Sequence, residues 1–218
     1  MNKPTSPRFE AVFFDMDGLL VDTESLYLDA TREVFAPFDV EVSLDWYMTE
    51  QLGKGTSTFS LLEAKGIAQD VIQETRVRRN KRYMEMLEGI EPIQGVRETL
   101  LQLHGKFALA VVTSSNREPF EIIMRNTELK HFFDFSITFD DVTSLKPDPK
   151  PYQKAVEHSG FEKENCLALE DSSKGVSAAK AAGISCYAIP DELTKGHDFS
   201  MADKVLGSIR EVPALLRV

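Results

Sequence analysis

Five short stretches of this chain, Glu10–Phe14, Phe107–Val112, Phe135–Phe139, Cys166–Leu169 and Ile184–Ile189, are largely apolar at odd and even positions alike. A strand with two apolar faces needs cover on both, so the pattern asks for a sheet held between layers of helix. Helical patterns fill the intervals. Val96, Leu100 and Leu103 mark one face of a helix over Gly95–His104 that stops at Gly105. Tyr152, Ala155 and Val156 mark a second over Pro151–Ser159, stopped by Gly160, and Val176 and Ala179 a third over Gly175–Ala182, stopped by Gly183. Apolar runs alternating with amphipathic helices predict βαβ units and a parallel sheet.

One interval breaks the rhythm. About 90 residues separate the end of the first strand near Asp15 from the second at Phe107, where a crossover needs only about 30. The surplus, Ser25–Glu91, carries helical patterns and no strand pattern. Leu26, Ala30 and Val34 recur every fourth residue until Pro37 interrupts, and Phe59 and Leu62 continue a stripe that ends at Gly66. Asp70 is placed to cap a long helix running through Ile72, Val77, Tyr83 and Leu87. Its opposite, solvated face would be Arg78, Arg79, Lys81 and Arg82. The expected organisation is an α/β core made of residues 1–24 and 92–218, with a helical domain of residues 25–91 inserted into it. Hinges are expected at Asp22–Ser25 and Gly89–Pro92.

The chemistry-bearing residues stand where the strands end. Asp15 and Asp17 directly follow the first apolar run, Gly18 follows them, and Glu170-Asp171 directly follows Leu167-Ala168-Leu169. In open parallel sheets ligands bind in the crevice at the strand C-termini. If these two strands are neighbours, four carboxylates converge. Two unit charges about 4 Å apart repel by about 4 kcal/mol at an effective dielectric near 20, so a divalent cation is the simplest remedy. An all-oxygen ligand set suits Mg²⁺. After the second strand, Thr113-Ser114-Ser115-Asn116 offers hydroxyls and backbone N–H groups at a helix start, a position that binds anions. Lys146 heads a segment held extended by Pro147, Pro149 and Pro151, which would aim it inward.

Composition narrows the partners. The chain has 25 Lys+Arg against 35 Asp+Glu, a net charge of −10, which disfavours a nucleic-acid partner. No apolar run approaches the roughly 20 residues of a membrane span, so no membrane partner is expected. Met1–Arg8 has the make-up of a short tail rather than a signal peptide. The only two cysteines, Cys166 and Cys186, lie in apolar stretches and suit buried, reduced thiols in a cytoplasmic protein.

Together the motifs Asp15-Met16-Asp17-Gly18-Leu19-Leu20-Val21-Asp22-Thr23-Glu24, Val112-Thr113-Ser114-Ser115, Lys146-Pro147-Asp148-Pro149 and Leu169-Glu170-Asp171-Ser172 resemble the haloacid dehalogenase (HAD) superfamily. The similarity is to its β-phosphoglucomutase-like phosphatase branch and covers nearly the whole chain. It implies a Rossmann-like parallel-sheet core with an inserted α-helical cap, closing over a small phosphorylated metabolite such as a sugar phosphate. Asp15 would be the nucleophile that forms an aspartyl-phosphate, and Asp17 the acid and base. Mg²⁺ would be held by Asp15, the backbone carbonyl of Asp17 and Asp171, with Glu170 bound directly or through another ligand. Thr113, Ser114 and Ser115 would bind the phosphoryl group and Lys146 would balance its charge. A cap that shields the site by itself implies a monomer.

Two other readings remain open at this point. Mutases of that branch carry a histidine in the helix after the first motif and Lys and Arg in a cap loop. Here the matching position is Tyr27, the four histidines (His104, His131, His158, His197) lie far downstream, and the segment Leu52–Ser57 holds Lys54 without an arginine. Both departures favour hydrolysis over phosphomutation, with Lys54 as a candidate substrate contact. A phospho-receiver module shares the acids, hydroxyl and lysine, but not Asp17 as a base or the long insertion. Asp17 likewise argues against a dehalogenase, which lacks that second acid.

Overall fold

In the computed structural model of the chain, which describes residues 9–218, each of the five apolar stretches contains a strand. The tail expected at Met1–Arg8 lies outside the described residues. The strands are β1 (Ala11–Phe14), β2 (Ala108–Val112), β3 (Phe135–Ile137), β4 (Cys166–Glu170) and β5 (Ser185–Ala188). A sixth, β6 (Lys204–Val205), is exposed and too short to show any alternation in sequence. They form one parallel sheet in the order β3-β2-β1-β4-β5-β6. Among the described residues the helices are α1 (Thr23–Phe35), α2 (Leu44–Trp46), α3 (Ser60–Ala64), α4 (Gln69–Met86), α5 (Val96–Leu103), α6 (Arg117–Asn126), α7 (Lys150–Ser159), α8 (Ser173–Ala181) and α9 (Val212–Leu216). None of them is long and apolar enough to cross a membrane.

The chain divides into two compact units, one of residues up to Asp22 with Glu91–Val218 and one of Thr23–Ile90. In the first, β1 is central and wholly buried. On one face of the sheet Ala11, Ala110, Ala168 and Ala188 alternate with larger side chains, and the small residues let Tyr152 and Ala155 of α7 and Val176 and Ala179 of α8 approach closely. The third strand stops earlier than its sequence suggests. Thr138 and Asp141 form a capping box that turns the chain into a single 3₁₀ turn at Phe139–Asp141.

The second unit is helical and has its own core of Leu28, Phe35, Val42, Tyr47, Phe59, Leu62 and Ile72. Its helices present different faces from those expected. On α1 the buried residues are Thr23, Leu28, Ala30, Thr31 and Phe35, so of the expected stripe of Leu26, Ala30 and Val34, Ala30 is buried and the other two are half-buried. On α4 they are Ile72, Thr75 and Arg79, while Val77 is 68% exposed. Seven residues make almost two helical turns, so Arg79 returns to the side of Ile72 and Val77 faces away. Arg79 therefore does not belong to the solvated basic face. Nor does Asp70 cap the helix: Ala68 stands at that position, and Asp70 sits in the first turn, where its charge still suits the helix dipole.

The start of α8 bears on the site described next. Ser172 caps it, its hydroxyl accepting from the Gly175 N–H at 3.2 Å. Replacing Ser172 with Ala should lower the unfolding free energy by about 1 kcal/mol, as for other lost caps. Urea unfolding followed by circular dichroism measures this, and an unchanged midpoint would show that the cap carries no weight.

Candidate active site

The strand order puts the ends of β1 and β4 side by side at the point where the connections diverge, β2 lying on one flank and β4 on the other. Phe14 is in register with Leu169, and the Asp15 N–H donates to the Leu169 carbonyl at 3.0 Å. The residues that leave these strands, Asp15 on one and Glu170-Asp171 on the other, are thereby neighbours. Asp15, Glu170 and Asp171 each offer a carboxylate oxygen, and the three oxygens lie within 4.8 Å of one another. All three residues are buried, with exposures of 7%, 0% and 4%.

Lys146 enters this nest from the proline-flanked segment, where the Lys146–Pro147 peptide is cis. Its Nζ donates to Asp15 Oδ1 at 2.6 Å, Glu170 Oε1 at 2.6 Å and the Val112 carbonyl at 2.7 Å. Burial works to lower its pKa, but the two carboxylates outweigh that and hold the ammonium above the ordinary lysine range. One lysine does not balance three acids. Burial first, opposed by Lys146 and reinforced by Glu170 and Asp17, pushes the Asp15 carboxyl up to about 8. Left with this single cation, the nest drives its central acid toward the neutral form.

Asp17 is not among the three acids whose carboxylate oxygens meet within 4.8 Å. Asp17 and Val21 form a bridge as the chain loops after β1. Asp17 Oδ2 then accepts from the Thr113 hydroxyl at 2.8 Å and the Ser115 hydroxyl at 2.9 Å, at the end of β2. Thr113 Oγ1 also accepts from the Ser115 N–H at 2.9 Å. Ser114 stands between them, exposed. Lys54 belongs to the helical unit, where it ends the π-helical stretch Tyr47–Lys54 and pairs with Glu50 at 2.5 Å.

Three features of the site had no role in the sequence reading. Tyr152, expected only to pack inward from α7, donates its hydroxyl to Glu170 Oε1, and its ring lies 5.1 Å below the Lys146 ammonium. Burial raises its pKa well above the usual tyrosine value, so it remains a donor. Gly18, at φ +79°, lets the loop pass Asp171: a Cβ there would lie 2.5 Å from Asp171 Oδ2. Gly175 in α8 lies against Glu170, where a Cβ would fall 1.8 Å from Oε2. A side chain pressed so closely to a glycine leaves no mark in sequence beyond the glycine itself.

The residues present fit a divalent cation. The donor set is three carboxylates, hard oxygen ligands of the kind Mg²⁺ takes, and Glu170 Oε2 is buried without a hydrogen-bond partner. The negative charge of Glu170 and Asp17, which adds to burial in raising the Asp15 pKa, is charge that such an ion would offset.

A doubly wound parallel sheet with an acid nest and a buried lysine at its switch point defines a class of enzyme folds, and the comparisons make the class specific. The family profile described as haloacid dehalogenase-like hydrolase matches residues 12–189. The chain belongs to that family. It is 34% identical over 195 residues to "Phosphorylated carbohydrates phosphatase" of Thermotoga maritima, covering 86% of this chain and 88% of that one. Among solved structures it is similar to CbbY from Rhodobacter sphaeroides in complex with xylulose-(1,5)bisphosphate, with TM-score 0.79, 27% identity and coverage of 95% and 99%. It is also similar to a structure described as putative beta-phosphoglucomutase from Thermotoga maritima, with TM-score 0.77, 30% identity and coverage of 96% and 99%.

The glycine packing yields a direct test. Gly175→Ala should displace the Glu170 carboxylate and lower stability by about 1–3 kcal/mol, the range for overpacking a filled interior. A crystal structure and a denaturation curve of the variant check this; an unmoved Glu170 would mean that the glycine is not what holds it there.

Proposed function

We propose that this chain is a Mg²⁺-dependent phosphatase that hydrolyses a small phosphomonoester, a sugar phosphate or similar metabolite, through an aspartyl-phosphate on Asp15. The observation that carries the reading is the convergence of Asp15, Glu170 and Asp171, with the Lys146 ammonium bonded to the first two and Asp17 held at the end of β2. The relatives whose names describe phosphatases of phosphorylated carbohydrates, and a bisphosphate complex, point to the same substrate class.

In this reading Asp15 Oδ attacks phosphorus and the ester oxygen leaves with a proton from Asp17. Asp17 then takes a proton from water, the water oxygen attacks the acyl phosphate, and inorganic phosphate departs with Asp15 restored. The Thr113 and Ser115 hydroxyls orient the Asp17 carboxyl for both transfers. Ser114, exposed beside them, has a backbone N–H and hydroxyl suited to the phosphoryl oxygens. Lys146 screens the nucleophile from the anionic substrate, and Tyr152 and Glu170 keep its ammonium in place. Asp15 and Asp171, with Glu170, would hold the Mg²⁺, which when bound supplies the charge neutralisation that lets two anions approach.

The helical unit is, in this proposal, a cap that excludes water, with Lys54 a candidate for reading the substrate. Transfer back to a sugar is disfavoured by Tyr27 at the position of the mutase histidine. A cytoplasmic location is part of the same reading and is supported by the two free, buried thiols Cys166 and Cys186.

Phosphate release from a panel of small phosphomonoesters should require Mg²⁺ and stop on chelation. Asp15→Asn should reduce kcat by at least about 10³-fold, the scale seen when a nucleophile is removed. Turnover that survives both treatments would overturn the mechanism. Conversion of β-glucose 1-phosphate to glucose 6-phosphate would replace hydrolysis with phosphomutation.

A further inference from the structure

Tyr152 on α7 and Glu170 at the end of β4 are both fully buried. Two side-chain donors reach the Glu170 carboxylate, and both reach the same oxygen. Oε1 accepts from Lys146 Nζ at 2.6 Å and from the Tyr152 hydroxyl. Oε2 is buried and, among the described residues, has no hydrogen-bond partner. The carboxylate has little room to turn and share its donors, because a Cβ at Gly175 would lie 1.8 Å from Oε2 and 2.3 Å from Oε1. The Tyr152 ring is fixed in turn among the small residues of the sheet face, Ala110 and Ala168 included.

A carboxylate oxygen has two lone pairs. On Oε1 the ammonium takes one and the phenol the other, while Oε2 has both open. A hydroxyl whose only task was to solvate a buried carboxylate would gain more at the open oxygen, where an unmet acceptor costs free energy. Two donors on one oxygen instead divide the carboxylate into a closed side and an open side. Lys146 is shared with Asp15, so Tyr152 is the donor that serves Glu170 alone. The division bears on which cation fits. Ca²⁺ takes roughly six to eight oxygens and often both oxygens of one carboxylate. The smaller Mg²⁺ demands a near-ideal octahedron, which the narrow bite of a two-oxygen carboxylate distorts.

We propose that Tyr152 is a positioning residue that sets the cation choice of the acid nest. Its hydroxyl, with the Lys146 ammonium, closes Glu170 Oε1 to a metal, so Glu170 offers one oxygen and the nest prefers Mg²⁺ to Ca²⁺. This role rests on the Mg²⁺ dependence proposed above and is exerted through Glu170 alone.

Mg²⁺ and Ca²⁺ are titrated by isothermal calorimetry into the full chain, unsubstituted and as Tyr152→Phe. Phenylalanine keeps the ring in the core and opens one lone pair of Oε1. The ratio of Kd for Ca²⁺ to Kd for Mg²⁺ should exceed one in the unsubstituted protein. It should fall at least about tenfold in the variant, the scale on which the partners of metal ligands act. A ratio below one at the outset, or one that Tyr152→Phe leaves unchanged, would overturn the proposal; in the second case the hydroxyl only stabilises the nest, whether or not both affinities weaken together. If the unsubstituted protein binds no Mg²⁺, the metal-dependent reading falls first and this role with it. Loss of a buried donor can also unfold the variant, so a second measurement uses the unsubstituted protein alone. Its crystal structure with Mg²⁺ should keep both donors on Oε1 and the ion off that oxygen. Mg²⁺ bound to Oε1 with Tyr152 displaced sinks the proposal however the variant behaves.

Discussion

The contact on which the rest of the structure turns is the ammonium of Lys146 lodged between the carboxylates of Asp15 and Glu170, with Asp171 within reach of both acids. Buried charges are retained only where partners offset the loss of water. Here the offset comes from strands and loops far apart in sequence: the end of β1, the end of β4, the Val112 carbonyl at the end of β2 and the lysine after Leu145. The sheet order, the alanines that draw α7 and α8 close, and the capped start of α8 all serve to hold those parts at one place. Remove the lysine and three buried acids face one another. Keep it, and the nest still carries more negative charge than positive, which is why the fold is receptive to a second cation.

Much of the core could be read from the chain. Asp15 and Glu170-Asp171 stand directly after apolar runs, and parallel pairing in register brings them level without any help from side-chain detail. Asp17 was harder to place. Two residues after Asp15, it would share the same crevice in an extended chain, but the loop that follows turns it onto Thr113 and Ser115. Tyr152 was visible as an inward residue, yet nothing in a one-dimensional pattern distinguishes a tyrosine that packs from one that also donates to a buried glutamate. The role of Gly175 was equally hidden, because it consists of the space taken by a residue only five positions upstream.

The helical unit was less legible for a physical reason. Its buried faces mix Thr, Tyr and Arg with aliphatic side chains, and α4 as a whole is markedly polar. Hydropathy counts Val77 as core and Arg79 as surface, whereas the helical repeat reverses both. An arginine enters such an interior only because aromatic faces accept its plane, and Tyr27 and Phe59 are those faces.

The two units thus depart from the rule of apolar interior and polar surface in opposite senses. The sheet unit buries an excess of negative charge around Lys146, and the helical unit buries the Arg79 guanidinium over Tyr27 and Phe59. Each departure costs stability, which the apolar core of its own unit offsets. Charge placed at such cost in otherwise apolar interiors is better explained by what it binds than by what it supports. By that argument the acid nest is made for a cation.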